Sequence, residues 1–270
     1  MNAPALAGIT EKMQVRKEGG IGWITFNNPA RLNAVSMSMW EAIPVILDAF
    51  EKDPEVRVVV MRGAGEKAFV SGADISEFGE KRNDPETSAL YNAASDQAGA
   101  AIKNFPKPLI AMIKGYCIGG GVAIAIGADL RIAADDTVYS VPAAKLGLGY
   151  RYDGIKHLMD LVGPSYTAEI FFTARKFNAE EALRMGLVNT VVPAADLEAK
   201  VTEYASTIAG NAPMTVAAAK RCIVEARKAS TADRNIKLCQ QMVDACFASA
   251  DYTEGRTAFM EKRKPAFKGR

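Results

Sequence analysis

Three consecutive glycines, Gly119, Gly120 and Gly121, stand directly before the apolar run VAIAIGADL and constrain the fold more than any other feature. Glycine permits sharp turns and close backbone contacts, so the run predicts a strand-to-helix junction. The first turn of a helix leaves its N–H groups unpaired at the positive end of the helix dipole. Either the glycines only allow tight helix packing, or they also let an anionic oxygen reach these amides.

Composition and motif spacing exclude several classes of function. The glycine run lacks the Gly-Lys-Ser/Thr of a P-loop and the G-x-G-x-x-G spacing of a dinucleotide site. A formal net charge of +2 disfavours a nucleic-acid or membrane surface, and no apolar run reaches the roughly 20 residues of a membrane span. One histidine and four cysteines without C-x-x-C spacing disfavour a metal site. The N-terminus shows no signal-peptide pattern, so we expect a cytoplasmic protein with neither a metal nor a nucleic-acid partner.

Strand and helix patterns alternate over the first two thirds of the chain. Single strands are predicted at residues 20–28, 56–63, 105–115 and 130–141, where β-branched residues cluster between turn residues. Helical spacing predicts helices after Ser36, from about Thr87 to Asn104 and after Asn178. Beyond residue 194 helical patterns follow one another with almost no strand signal. We therefore expect an α/β core over residues 1–193 and a helical region over residues 194–270.

A second turn rich in small residues occurs earlier, in FVSGADISEF at residues 69–78. A strand there ends in Ser71, Gly72, Ala73 and Asp74. Two such turns can converge on one oxygen from two sides. A pair of N–H donors arranged in this way forms an oxyanion hole.

Together these motifs resemble the crotonase (enoyl-CoA hydratase/isomerase) superfamily. The resemblance extends over essentially the whole chain and is carried, in order, by PARLNAV, AFVSGADI, FPKPLIAMIKGYCIGGGVAIAIGADLRIAA, FNAEEALRMGLVNTVVP and EGRTAFMEKRKPAF. It implies an α/β spiral of ββα units with a C-terminal helical trimerisation region, assembled as a homotrimer or a hexamer. It also implies that the amides of Ala73 and Gly120 hold the oxygen of an acyl-CoA thioester while an enolate forms. Coenzyme A would be part of the substrate, so no separate cofactor is expected.

The same resemblance implies which residues contact the substrate. Arg31, Leu32 and Ala34 would lie along the pantetheine and phosphates. The turn residues Ser71, Gly72, Asp74 and Ile75, with Gly119 and Gly121, would border the adenine and the thioester arm. Phe259 and Lys262 would reach coenzyme A from the C-terminal region, although a solvated basic end explains Lys262 equally well.

Two catalytic positions of the family's hydratases are occupied by alanine. Those hydratases use two glutamates, and the matching positions here are Ala123 and Ala143. Alanine cannot transfer a proton, so two-glutamate hydration is excluded.

The loop at residues 146–158, LGLGYRYDGIKHL, resembles that of methylmalonyl-CoA decarboxylase, with Tyr150 and a Gly-Ile pair at matching positions. That enzyme carries a histidine where this chain has Ala73. Decarboxylation needs no base, and an apolar wall would disfavour the substrate carboxylate. Tyr150 could orient that carboxylate and protonate the enolate, and Arg151 could clamp it. The apolar wall would comprise Ala123, Ala143 and Leu148.

Two other functions stay open at this point. The first is an enoyl-CoA hydratase or isomerase that uses a different acid, such as Asp153. The second is a non-catalytic homologue that binds CoA or RNA. The two intact turns favour an enzyme, because mere binding would not require both donors.

Overall fold

The computed structural model describes residues 10–77 and 85–270. Its strands are β1 (Met13–Glu18), β2 (Ile21–Phe26), β3 (Val58–Gly63), β4 (Ala68–Val70), β5 (Leu109–Ile113), β6 (Tyr116–Ile118), β7 (Leu130–Ala134), β8 (Val138–Ser140), β9 (Phe177–Asn178) and β10 (Thr190–Val192). Its α-helices are α1 (Met37–Lys52), α2 (Pro85–Asn104), α3 (Gly120–Gly127), α4 (Tyr152–Thr173), α5 (Ala179–Arg184), α6 (Leu197–Gly210), α7 (Pro213–Ala226), α8 (Ile236–Phe247) and α9 (Ala250–Met260). Within these ranges no helix is long and apolar enough to cross a membrane.

Two sheets share the strands, and the chain alternates between them. The larger sheet has the order β1-β2-β3-β5-β7-β10 and the smaller one has the order β4-β6-β8-β9. Three successive units, β3-β4-α2, β5-β6-α3 and β7-β8-α4, each supply one strand to either sheet and then a helix. Strands of successive units pair in parallel in both sheets. This repeated ββα arrangement confirms the expected α/β spiral.

The strand predicted at residues 105–115 is β5, and β6 follows it directly after a turn at Gly115. The strand predicted at residues 130–141 is two strands in the structure, β7 and β8, which are separated at Asp135 and Asp136. Gly115 has φ +62°, and a Cβ there would lie 2.1 Å from the carbonyl oxygen of Lys67, so only glycine fits this corner. At each corner the chain leaves the larger sheet for the smaller one. The prediction of one continuous strand at residues 130–141 was wrong.

Two apolar clusters form on opposite faces of the larger sheet. Successive β3 residues alternate between them, since Val59 and Met61 join one cluster while Val58 and Val60 join the other. The first cluster also contains the apolar face of α1, which begins right after Ser36 as predicted. The second is closed by α6, whose packing residues are Leu197, Val201, Ala205 and Ala209.

The C-terminal residues form the expected succession of helices. A boundary at residue 193 falls directly after β10, but α6 packs on the larger sheet and so belongs to the core. The helices that stand apart from the sheet are α7, α8 and α9. The last residues fold back along α9, where the Asp251 carboxylate accepts hydrogen bonds from the amides of Lys268 (2.7 Å) and Gly269 (2.7 Å).

Candidate active site

The two small-residue turns lie side by side at the carboxyl ends of β4 and β6. These strands are neighbours in the smaller sheet and pair in parallel, so the turns that follow them emerge at the same edge. Both turns use left-handed glycine backbone, with φ +110° at Gly72 and φ +52° at Gly119. The sequence prediction that the two turns converge is supported by this topology.

The amide nitrogens of Ala73 and Gly120 lie close together on the two adjacent turns. A Cβ built on Gly120 would lie 3.7 Å from the amide nitrogen of Ala73, and one built on Gly72 would lie 3.9 Å from the amide nitrogen of Gly120. Neither amide donates a hydrogen bond to any residue that the structure describes. Two unpaired N–H groups on separate turns are the donors that a developing oxyanion requires.

The third glycine, Gly121, has a packing role. A Cβ at this position would lie 2.0 Å from the carbonyl oxygen of Val70, a separation that no relaxed side chain adopts. Because Gly121 has no Cβ, α3 can pack directly on β4. The two interpretations of the glycine run therefore apply to different glycines. Gly121 allows close packing, and Gly120 leaves its own amide accessible.

The loop at residues 29–34 is hydrogen-bonded to the first turn. The amide of Ser71 donates to the Leu32 carbonyl (3.1 Å), and its hydroxyl donates to the Arg31 carbonyl (3.2 Å). The amide of Val35 donates to the Gly72 carbonyl (2.8 Å). The structure thus brings together the residues predicted to line coenzyme A on this side. The Arg31 side chain is exposed and available to a phosphate.

A residue that the sequence analysis overlooked, Asn33, holds this loop in place. Its buried amide group donates to the carbonyls of Ala64 (2.9 Å) and Ala68 (2.7 Å) and accepts from the amide of Asn28 (3.0 Å). Asn33 has φ +57°, a left-handed conformation that asparagine tolerates better than most residues. The available signal was the asparagine itself, between two apolar residues in the motif PARLNAV.

The carboxylates that follow Ala73 are engaged in structural hydrogen bonds. Burial raises the pKa of Asp74, but hydrogen bonds from the hydroxyl (2.6 Å) and amide (3.1 Å) of Ser76 outweigh it and hold that pKa below its usual range. Glu77 accepts a hydrogen bond from the amide of Met37 (2.8 Å) and so caps the start of α1. The backbone of Ile75 lies in the 3₁₀ turn Ile75–Glu77, while its side chain is outside the described part of the structure.

The two alanines at the family's glutamate positions occupy different environments. Ala123 is exposed although its neighbours Val122 and Ile124 are buried, and it follows Gly120 by three residues, hence on the same helix face. An opening therefore adjoins the free amide of Gly120. Ala143 is only 5% exposed in the 3₁₀ turn Pro142–Leu146.

The turn that carries Ala143 adjoins the glycine run. The amide of Gly119 donates to the Ser140 carbonyl (2.8 Å), and a Cβ on Gly119 would lie 3.9 Å from the ring of Pro142. Leu148, 47% exposed, donates its amide to the Ala143 carbonyl (3.0 Å). The three predicted apolar wall residues are thus connected to this edge of the smaller sheet.

Tyr150 is partly buried just before the start of α4. Its ring packs edge-on against Phe171, with centroids 4.8 Å apart, and lies against Gly154, whose built Cβ would be 3.6 Å away. Burial raises the pKa of the Tyr150 hydroxyl above its usual value. No hydrogen bond to this hydroxyl is present in the described ranges, so it is free to donate one to a ligand.

The next two polar residues of the loop are solvent-exposed. Arg151 precedes α4 as its N-cap residue and forms an ion pair with Asp96 of α2. Asp153 is exposed in the first turn of α4. Asp96 was not singled out from the sequence, because 55 residues separate it from Arg151.

Phe259 and Lys262 lie in the C-terminal helical region. Phe259 is 82% exposed and lines an apolar groove of about 820 Å³ between α7, α8 and α9. Lys262 follows α9, and no ion pair or hydrogen bond in the described residues connects its ammonium group to the loop of Arg31. Nor do those residues include a cluster of three or more His, Cys, Asp or Glu side chains that could hold a metal ion.

Comparisons with known proteins agree on one family. The model of the enoyl-CoA hydratase/isomerase family matches residues 16–270. Similar sequences include a short-chain-enoyl-CoA hydratase of Clostridium acetobutylicum, 34% identical over 95% of this chain and 97% of that protein. A carnitinyl-CoA dehydratase of Escherichia coli is 33% identical over 97% of this chain and 100% of that protein. The solved enoyl-CoA hydratase of Bacillus anthracis superposes with a TM-score of 0.91 at 30% identity, covering 96% of this chain and 100% of that one.

Proposed function

Because this chain belongs to the enoyl-CoA hydratase/isomerase family, we propose that it is a lyase that decarboxylates a short 2-carboxyacyl-CoA thioester of the methylmalonyl or ethylmalonyl type. The family acts on CoA thioesters, and the proposal concerns the acyl group and the reaction. Its main support is the combination of two unpaired amides, at Ala73 and Gly120, with alanine at positions 123 and 143. Such a site can stabilise an enolate, but it lacks the carboxylates for adding water.

The reaction balances without a base or an added co-reactant. The bond between the α-carbon and the carboxylate carbon breaks, and its electron pair passes into the thioester, so that CO₂ leaves and an enolate forms. The amides of Ala73 and Gly120 donate hydrogen bonds to the enolate oxygen, each contributing typically about 10²–10³ in rate. A proton then adds to the α-carbon and gives the saturated acyl-CoA.

Tyr150 is the proposed proton donor, either directly or through a water molecule. Its raised pKa keeps the phenol protonated at neutral pH, and its hydroxyl makes no hydrogen bond with the described residues. The tyrosinate regains a proton from solvent. Ala123 and Leu148, both apolar and exposed, would border the substrate and leave its carboxylate poorly solvated before bond cleavage.

A second candidate is water addition to, or elimination from, an enoyl-CoA. The names of the relatives, a short-chain-enoyl-CoA hydratase and a carnitinyl-CoA dehydratase, favour it. The proposed acid is then Asp153. Asp153 is solvent-exposed in the first turn of α4, so we rank this function below decarboxylation.

We further propose that the chain assembles with copies of itself, as a trimer or hexamer. The helical region exposes a series of large apolar residues, which is typical of an interface. These are Ile223, Ile236, Phe247, Phe259 and Met260. Light scattering of the purified protein tests this proposal, and a monomer at micromolar concentration would contradict it.

A substrate panel tests the reaction. Purified protein is mixed with crotonyl-CoA, methylmalonyl-CoA or ethylmalonyl-CoA, while hydration is followed by absorbance and CO₂ by trapping. We expect CO₂ from a carboxylated thioester, and Tyr150→Phe should lower its rate by about 10²-fold. The matched control is Tyr152→Phe, because Tyr152 is 75% exposed and two residues away.

Each function has an outcome that removes it. Hydration of crotonyl-CoA without any release of CO₂ would exclude decarboxylation. If that hydration is unaffected by Asp153→Asn, Asp153 is not its acid. If CO₂ is released equally fast by Tyr150→Phe, the tyrosine is not the proton donor.

A further inference from the structure

The ion pair between Arg151 and Asp96 joins the two helices on either side of α3. Arg151 precedes α4 and Asp96 lies on α2, while α3, which begins at Gly120, packs against both of these helices. The two side chains are 60% and 58% exposed. Within residues 10–77 and 85–270 neither side chain has another ion pair or hydrogen bond. Each therefore depends on the other for its charge partner.

The surroundings make Arg151 the suitable partner for a carboxylate on the acyl group. It directly follows Tyr150, and its planar guanidinium can bind a carboxylate through two parallel hydrogen bonds. Among the described residues Asp96 is the carboxylate paired with Arg151, so it would compete with a ligand carboxylate for the guanidinium.

We propose that Asp96 is a specificity-determining residue, a role that rests on the proposed function. In the substrate-free protein it holds the guanidinium of Arg151, and a free carboxylate on the acyl group of a CoA thioester takes its place. Exposed ion pairs contribute little to stability, so the exchange is easy for a ligand already held through its CoA portion. A neutral acyl group offers nothing to Arg151 and leaves the pair intact. Asp96 touches no reacting atom and acts only through Arg151.

The test uses two inert CoA thioethers, S-(2-carboxybutyl)-CoA and S-butyl-CoA, which lack the thioester carbonyl and cannot react. Titration calorimetry measures their dissociation constants. We expect Asp96→Asn to tighten binding of the carboxylated ligand about two- to fivefold and to leave the neutral one unchanged. Arg151→Gln should weaken only the carboxylated ligand, about tenfold or more. The matched control is Asp48→Asn, since Asp48 is also 58% exposed and paired with Lys52.

The double variant decides whether the two residues act as a unit. In the Arg151→Gln background, Asp96→Asn should have no further effect on either ligand. The proposal is overturned if Asp96→Asn leaves the carboxylated ligand unchanged, weakens it, shifts both ligands equally, or still acts without Arg151. Because the thioethers are not turned over, the absence of CO₂ release from ethylmalonyl-CoA would remove the proposed reaction while leaving the role of Asp96 measurable.

Discussion

Two adjacent glycines, Gly120 and Gly121, allow the role of the amide donor and the role of close packing to be tested separately by substitution with alanine. At Gly120 a Cβ would have its nearest neighbours at 3.7 Å, which is ordinary van der Waals contact. Gly120 is the first residue of α3 and its φ is not positive, and alanine is the better helix former. The Gly120→Ala variant should therefore fold and melt like the parent protein.

Its activity should nevertheless fall sharply. One of the atoms at 3.7 Å is the amide nitrogen of Ala73, so the new methyl group enters the space between the two donors. An oxygen accepting both hydrogen bonds must lie about 2.9 Å from each nitrogen, and the methyl group obstructs that position. Losing one donor of this kind costs about 10²–10³ in kcat, which is the decrease we expect for Gly120→Ala.

Gly121→Ala should instead lower the stability of the fold. Its Cβ would lie 2.0 Å from the oxygen and 2.9 Å from the carbon of the Val70 carbonyl, and these backbone atoms cannot move aside as a flexible side chain would. Such overpacking costs roughly 1–3 kcal/mol or more, and Tm falls by about 2–4 °C per kcal/mol in a protein of this size. Steady-state kinetics and thermal unfolding of both variants provide the comparison. Full turnover by Gly120→Ala, or a parental Tm for Gly121→Ala, would refute the corresponding argument.

Three further predictions concern the site and the charges around it. Ala123→Glu combined with Ala143→Glu should add water to crotonyl-CoA at least about tenfold faster than the parent, and an unchanged rate would contradict the placement of these positions. Of the two single variants, Ala143→Glu should lower Tm and Ala123→Glu should not, because Ala143 is buried while Ala123 is exposed. Burial and nearby positive charges lower the pKa of His157 to about 4. The unfolded chain therefore becomes protonated at a higher pH than the folded protein does. As a result, the free energy of unfolding falls as the pH drops from about 6.5 to about 4. NMR of this single imidazole should give that midpoint, and one near 6.5 would count against the burial argument. Hydrogen bonds from Arg263 lower the pKa of Glu254 to about 2, so its contribution to stability is complete above its unfolded pKa of 4.5 and is lost as the pH falls toward 2. Glu254→Gln should reduce the loss of stability between pH 6 and pH 3 in urea unfolding, whereas an undiminished loss would show that the pair contributes nothing.

The alternation of strand and helix patterns was sufficient to predict the class of fold. The apolar spacing after Ser36 predicted α1, and the region from Thr87 to Asn104 predicted most of α2. Such patterns are readable because each long element buries one face. The strand β1 was not predicted, because it lies at the sheet edge and most of its side chains, in MQVRKE, are polar or charged. The two-residue strand β9 also shows too short a pattern to be recognised.

Some residues of the candidate site could likewise be predicted from the sequence, and others could not. The glycine run and the Ser71–Asp74 turn were identified from the residues, and the two alanines from the family resemblance, because their chemistry depends on which side chains are absent. Asn33 and Asp96 were not identified, because their roles depend on partners 31 to 55 residues away. Nothing in a single sequence distinguishes such a partner from any other polar residue.

The sequence by itself determined that Gly120 can offer an unobstructed amide and that Ala123 and Ala143 cannot move a proton, since both properties follow from the covalent structure of the residues. Only the tertiary structure decided that this amide lies close to that of Ala73, that Gly121 serves packing, and that Arg151 is paired with Asp96. The reason is geometric: the parallel pairing of β4 with β6 brings the two turns to one edge of the sheet, and the packing of α3 between α2 and α4 brings the two charges together. Both arrangements join segments far apart in the chain, and local residue patterns carry no information about them.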